Sequence, residues 1–227
     1  MKNIKLSGTG IGTSFVFLLL LVLVNGLLGR GQMFVYSSSQ FRTLLDINPT
    51  QQSPLTSLLD IGAGDGSVTD RMSKVFKNIF VTEMSPTMRW RLSRKGYTVL
   101  DTNDWGNRSF DVITCLNVLD RCEKPISLLK QIRRHLNPEH GRLIVSLVLP
   151  LNQYFEYNSD HYPDEFLRLD SDQIEEQINQ LSSRIFQSLG YRLKKFTRLP
   201  YLCEGDLERS YYFLFDYLFV FDIDRLL

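Results

Sequence analysis

The stretch Ser57-Leu58-Leu59-Asp60-Ile61-Gly62-Ala63-Gly64-Asp65-Gly66-Ser67-Val68-Thr69 decides the fold. A short run suited to a buried strand meets three alternate glycines, and a helical period begins at Ser67 and runs to Phe76. Glycine at a strand-to-helix turn lets the backbone bend sharply and lets a ligand approach main-chain amides at the helix start. Outward from this turn, apolar or β-branched runs alternate with helical stretches, the pattern of a mostly parallel sheet covered on both faces. Asn78 to Met84 reads as the second strand, Pro86 to Lys95 as its helix, Tyr97 to Asp101 as the third strand, and Phe110 to Leu116 as the fourth. Pro125 to Leu136 carries Ile126, Leu129, Ile132 and Leu136 at helical spacing and stops at Asn137-Pro138; Arg142 to Leu149 is the fifth strand. Pro150 to Leu169 is polar and aromatic without a period, a long connection of the kind that covers a site, with Asn152 to Arg168 as a candidate lid. Asp172 to Leu189 returns to helix before Gly190, and Tyr191 to Thr197 and Tyr211 to Phe221 complete seven strands.

Composition narrows the partners. At 227 residues, 43% hydrophobic and 22% charged, the chain suits one α/β domain and is short for two. Lysine plus arginine (26) nearly cancels aspartate plus glutamate (25), so no whole-molecule field gathers nucleic acid, and any partner is read at a site. Cys115, Cys122 and Cys203 match no zinc spacing and are too scattered for a disulfide framework, so reduced thiols and no metal are expected. Residues 1–30 stand apart from the single domain expected over 31–227. Met1 to Lys5 is basic and Phe15 to Val24 is an apolar run of ten, shorter than the roughly 20 residues that cross a bilayer. Two readings stand open: a signal or anchor that associates the chain with the endoplasmic reticulum or a membrane, or a hydrophobic helix packed on a cytoplasmic domain.

The glycine turn has the form G-x-G-x-G, where a dinucleotide site prefers G-x-G-x-x-G around a pyrophosphate. Asp60 ahead of Gly62 would repel a pyrophosphate but suits a ligand with a positive centre, as the sulfonium and ammonium of S-adenosylmethionine provide. Glu83, nineteen residues past Gly64, stands where an acid accepts hydrogen bonds from two ribose hydroxyls. Together Asp60, Gly62, Gly64 and Glu83 predict an adenosyl-ligand fold that favours the methyl donor over a nicotinamide. The expected architecture is the α/β class I fold of S-adenosylmethionine-dependent methyltransferases: seven-strand, Rossmann-like, a three-layer sandwich. After the third strand, Asn103 or Asp104 can reach an adenine edge with Trp105 beside it; an Asn-Asp turn over a buried tryptophan is the equal alternative. Asn117 can meet the methionyl part of the cofactor, and Asp120 faces the same cleft if the chain turns there.

Four blocks carry a closer resemblance: Asn25 to Gly31 (NGLLGRG) with Met33-Phe34-Val35, DIGAGDG with Val68-Thr69, Asn117 to Cys122 (NVLDRC), and Arg198 to Asp206 (RLPYLCEGD). The chain resembles the DREV family of methyltransferase-like proteins, protein-histidine N-pros-methyltransferases, from Asn25 to the last strand. The resemblance implies cofactor binding through the glycine loop, Glu83, Asn117 and Tyr201, and methylation of histidine at Nδ1 in His-x-His segments of protein partners. It implies Asp120 and Tyr212 as the substrate-side catalytic residues. Each has a plainer counterpart: Asp120 as a surface ion pair with Arg121, Tyr201 and Tyr212 as core aromatics of terminal strands. His135, His140 and His161 are dispersed and form no His-x-His. A cofactor-binding scaffold without turnover and a nicotinamide-dependent oxidoreductase are the competing functions.

Overall fold

The computed structural model describes residues 32–48, 55–155, 161–204 and 210–224. The segment 1–30, with its apolar run, and the block NGLLGRG lie outside the described residues. Among the described residues no helix is long and apolar enough to cross a membrane.

The strands are β1 (Met33–Phe34), β2 (Leu55–Ile61), β3 (Phe76–Thr82), β4 (Thr98–Val99), β5 (Val112–Leu116), β6 (Arg142–Val148), β7 (Tyr191–Glu204) and β8 (Tyr211–Ile223). They form one sheet in the order β1-β7-β8-β6-β5-β2-β3-β4. Strands β2 to β6 pair in parallel, β8 runs antiparallel to β6 and β7, and β1 antiparallel to β7. From β2 the chain moves outward through β3 and β4, then returns to β5 and β6 on the other side, so the order reverses between β2 and β5.

Helices α1 (Ser38–Leu44), α2 (Ser67–Ser73), α3 (Pro86–Arg94), α4 (Pro125–His135) and α5 (Ile174–Gln180) cover the sheet. Strand alternation divides its two faces. Leu58, Val112, Ile144, Leu218 and Val220 meet Phe41, Leu44 and Met72 of α1 and α2, while Leu59, Ile113, Val145, Phe219 and Phe221 meet Leu129 and Ile132 of α4. The result is the expected three-layer sandwich.

Two elements escaped the sequence reading, and among the described residues there are eight strands where seven were expected. β1 is two residues long and has no alternation to detect, yet Met33 pairs with Cys203 and Phe34 with Leu202 at the sheet edge. α1 was announced by a capping box, in which Ser37 Oγ accepts from the Gln40 amide and Gln40 Oε1 accepts from the Ser37 amide. β7 runs seven residues beyond its expected end at Thr197, through Pro200 to Glu204, while β8 starts where expected and ends two residues later, at Ile223. The predicted helix 172–189 is α5 followed by a π-helical turn, Leu181–Phe186, and a short 3-10 turn, Gln187–Leu189. The π turn rotates the buried face, so Gln177 and Gln180 join Leu181, Ile185 and Phe186 inside. The two glutamines serve the long connection: Gln177 Oε1 accepts from the Leu151 amide at 2.8 Å and Gln180 Oε1 from the Asp170 amide at 2.7 Å.

Phe186 stacks on Phe221 with ring centroids 4.1 Å apart, and Phe221 stacks in turn on Phe219 at 6.0 Å. This column joins the π turn to β8. Phe186→Ala is expected to lower stability by about 3–5 kcal/mol, measured by urea denaturation; a loss under about 1 kcal/mol would show that the column closes over the cavity.

Candidate functional site

The glycine loop is shaped by three left-handed residues, Gly62 (φ 69°), Gly64 (φ 56°) and Gly66 (φ 80°). Two of them are forced by their surroundings as well. A Cβ at Gly62 would lie 2.7 Å from Val118 Cγ2 and one at Gly66 2.9 Å from Leu92 Cδ2, whereas none would meet an atom within 4 Å at Gly64. Gly64 thus presents bare backbone to the space beyond the strand ends. The Gly62 and Ala63 amides both donate to the Thr82 carbonyl, at 2.9 and 3.0 Å, which locks the loop to the end of β3.

Glu83 follows β3 directly and is held at both oxygens: Oε2 accepts from the Gly64 amide at 2.9 Å and Oε1 from the Ser85 amide at 2.9 Å. Each carboxylate oxygen keeps a further lone pair for a ligand. Asp60 lies elsewhere than expected. Its side chain shares the sheet face of Leu58, is 2% exposed, and does not line the cleft. Oδ2 accepts from Thr69 Oγ1 and Oδ1 from Thr114 Oγ1, both at 2.6 Å, which ties α2 and β5 to β2 beneath the loop. Burial pushes its carboxyl up to about 6 against these two donors, with Glu83 adding to the rise. Asp60 therefore supports the loop, and Glu83 is the carboxylate that faces the cavity.

That cavity is a cleft of about 470 Å³ outside the carboxyl ends of β2, β3 and β5, where strand order reverses and ligands of such sheets bind. Gly62, Gly64, Glu83, Asn103 and Asn117 stand together on its wall, with Phe155 from the long connection and Met33 from β1. The Asn103 segment forms the Asn-Asp turn over a buried tryptophan, and Asn103 also borders the cleft. The Asn103 amide donates to Asp101 Oδ1, the Gly106 amide donates to Asp104 Oδ1, and Trp105 is buried. Asn117, at φ 54°, donates Nδ2 to Asp216 Oδ2 at 2.7 Å.

Asp120, Tyr201 and Tyr212 are not on the wall itself. Tyr201 is buried, and its hydroxyl donates to Met33 Sδ at 2.7 Å, so it acts on the cleft through Met33. Tyr212 lies half-buried on β8 opposite Cys203. The Asp120 carboxylate accepts from Arg121 Nε at 3.4 Å and Nη2 at 3.1 Å, the ion pair read from the sequence; Arg121 itself lines the cleft.

Sequence reasoning missed three contributors. Asp216 sits within the aromatic run of β8 and is fully buried; burial pushes its carboxyl up to about 6 despite the hydrogen bond from Asn117. An acid inside a run of aromatics was the available signal. Ser146 Oγ lies beside Asp216 but outside hydrogen-bond geometry. Glu165, from the long connection, accepts at Oε2 from the Ser127 amide (2.7 Å) and at Oε1 from Ser127 Oγ (2.6 Å). It caps α4, whose own N-cap residue, Lys124, supplies no side-chain cap.

A model of the DREV methyltransferase family matches residues 11–223. Among solved structures the chain is similar to N-methyltransferase NodS of Bradyrhizobium japonicum in complex with S-adenosyl-L-homocysteine. The identity is 17% and the TM-score 0.52, over 82% of this chain and 85% of that one. It is similar to a TehB-like SAM-dependent methyltransferase of Corynebacterium glutamicum at 14% identity and TM-score 0.53, over 92% of this chain and 98% of that one. A third likeness, at 14% identity and TM-score 0.50, is to magnesium protoporphyrin IX methyltransferase of Synechocystis with bound SAM, over 81% of this chain and 76% of that one. The fold is the class I, Rossmann-like fold of these enzymes.

Because the Asp60 carboxyl titrates higher folded than unfolded, its contribution to stability is present below about pH 4 and lost as pH rises through about 6. Keeping it charged at neutral pH costs on the order of 3 kcal/mol. Asp60→Asn is therefore expected to compare more favourably with the parent chain at pH 7.5 than at pH 4.5, as read by urea denaturation at each pH; a difference that does not change with pH would refute the assignment. Gly62→Ala is expected to lower stability by about 1–3 kcal/mol, since both its left-handed backbone and Val118 oppose a methyl group. Adding Val118→Ala should recover part of the loss.

Proposed function

The chain belongs to the DREV methyltransferase family, and from that membership we propose that it transfers the methyl group of S-adenosylmethionine to Nδ1 of histidine in His-x-His segments of proteins. The observation that carries the cofactor reading is Glu83, fixed at both oxygens by backbone amides on the wall of the cleft beside the open glycine loop. Such a donor supplies an electrophilic methyl carbon on a sulfonium centre. The residues present fit it. Glu83 has free lone pairs for ribose hydroxyls, Gly64 leaves room for close approach, and the buried Asn117 Oδ1, without a partner among the described residues, can accept from an ammonium group. Asn103 borders the adenine end, and Tyr201 supports the wall through Met33. The nicotinamide reading has no support from the family or the glycine spacing.

The remaining residues act on the acceptor. Imidazole has an unperturbed pKa near 6.5, so at neutral pH a histidine is already nucleophilic and no strong base is needed. Choosing the ring nitrogen is the harder task. Asp120, next to the cleft residues Val118 and Arg121, can accept Nε2–H and leave the Nδ1 lone pair facing the donor; its ion pair with Arg121 leaves acceptor positions on both oxygens. The same carboxylate stabilises the positive charge that grows on the ring. Tyr212, on β8 behind the wall, is assigned to the acceptor side by the family resemblance alone. Residues 31–227 are read as one methyltransferase domain, with 1–30 as a separate hydrophobic segment that can add membrane association.

A His-x-His peptide incubated with the chain and methyl-labelled S-adenosylmethionine is expected to yield pros-methylhistidine, resolved by mass spectrometry from its tele isomer. Asp120→Ala should lower the rate by about a hundredfold or more while cofactor affinity survives. A tele product, or methylation of lysine or arginine alone, would sink the assignment.

A further inference from the structure

Three buried polar atoms cluster behind the cleft with no partner among the described residues: Asn117 Oδ1, Ser146 Oγ and Asp216 Oδ1. Their residues are 4%, 0% and 0% exposed. Buried polar groups are nearly always satisfied, so a group of orphans beside a cavity calls for an explanation. Among the described residues the side-chain hydrogen bond within the cluster runs from Asn117 Nδ2 to Asp216 Oδ2, and the Asn117 main-chain amide donates to the Ser146 carbonyl. An ionised carboxylate only accepts hydrogen bonds, whereas an amide has one accepting and one donating end. The carboxylate must therefore take the amide nitrogen, which fixes the way round that Asn117 sits.

We infer that Asp216 is a positioning residue: by holding the Asn117 amide nitrogen, its carboxylate leaves Oδ1 as the end of Asn117 available to an ammonium group of the methyl donor. The inference rests on the reading of Asn117 as a donor contact. Protonation of Asp216 reverses the logic. A protonated acid can donate to Oδ1, so the amide can turn and offer its two N–H donors, which an ammonium group cannot use. The titratable and charged groups that face Asp216 are Asp120 and Arg121 from the turn after β5 and Tyr201 and Cys203 from β7. From β6 the neighbour is the neutral Ser146. Asp120 opposes the charge on Asp216 and Arg121 favours it, while burial dominates both and sets the transition at about 6. Donor affinity should fall as pH drops through that value.

The test is calorimetric titration of the purified chain with S-adenosylmethionine from about pH 7.5 to 5. The parent chain is expected to lose affinity roughly tenfold across that span. Asp216→Asn, which can satisfy either end of the amide, should bind roughly tenfold more weakly at pH 7.5 and show no slope with pH, with thermal melting confirming that it is folded. Asp60→Asn, which removes the other buried acid and with it the support of the glycine loop, is read for slope alone: whatever its affinity at pH 7.5, the fall with pH should persist. Asn117→Ala separates the two levels. Undiminished affinity in Asn117→Ala overturns the reading of Asn117 as a donor contact. Lost affinity there, with parental affinity and slope in Asp216→Asn, overturns the role of Asp216. Should Asp216→Asn not fold, a slope that persists in Asp60→Asn supports the role, and a flat profile in the parent chain, or a slope lost in Asp60→Asn, overturns it.

Discussion

A carboxylate sealed away from water beneath the glycine turn is the interaction on which the rest depends. Asp60 is charged at neutral pH only because Thr69 and Thr114 offer it hydroxyls from two other elements. In satisfying it, the fold fixes the first turn of α2 against the ends of β2 and β5. With that junction set, Gly62 and Ala63 reach the Thr82 carbonyl and Gly64 reaches Glu83. A hydrophobic residue at this position would fill the space without specifying where the helix begins. The cost of burial is exchanged for geometry at the place where a ligand is bound.

Polar groups recur along the same sheet face towards the carboxyl ends. Asp60, Thr114, Ser146 and Asp216 lie on the face covered by α1 and α2, among aliphatic and aromatic neighbours. Their placement follows from alternation: Leu116 pairs with Ser146, Ser146 with Leu218 and Val148 with Asp216. Behind the cleft the sheet thus carries a line of hydrogen-bonding groups set into an apolar layer.

How much of this could be read from the chain depends on how local each signal is. The β2 to α2 turn and the succession of strands and helices from β3 to β6 are governed by periodicity and glycine and are local signals, whereas the order of the strands in the sheet belongs to the folded chain. Glu83, Asn103 and Asn117 were found because they stand just past strand ends, where the sheet itself aims residues at a ligand. Asp60 was misjudged because spacing gives its height along β2 but not which face its side chain takes. The roles of Asp216 and Glu165 went unread for a different reason. Each works through a partner 99 or 38 residues away, Asn117 and Ser127 respectively, and only the folded chain brings those distances to hydrogen-bonding range. β1 was lost to its brevity, and the far end of β7 lies past a proline that the sheet tolerates beside its edge strand.

The long connection after β6 does more than run past the cleft. Its Glu165 completes the first turn of α4, its Asp164 pairs with Lys124 at 3.2 Å, and its Tyr154 amide donates to the Asp120 carbonyl at 2.9 Å. Lys124, Ser127 and Gln131 of that helix end in turn border the cavity, as does Phe155 of the connection. Helix end and covering segment are consequently one cooperative unit: whatever lifts the covering strips the first turn of the helix of its Glu165 cap, so unravelling at Ser127 and exposure of the chamber to bulk solvent are two faces of a single local opening.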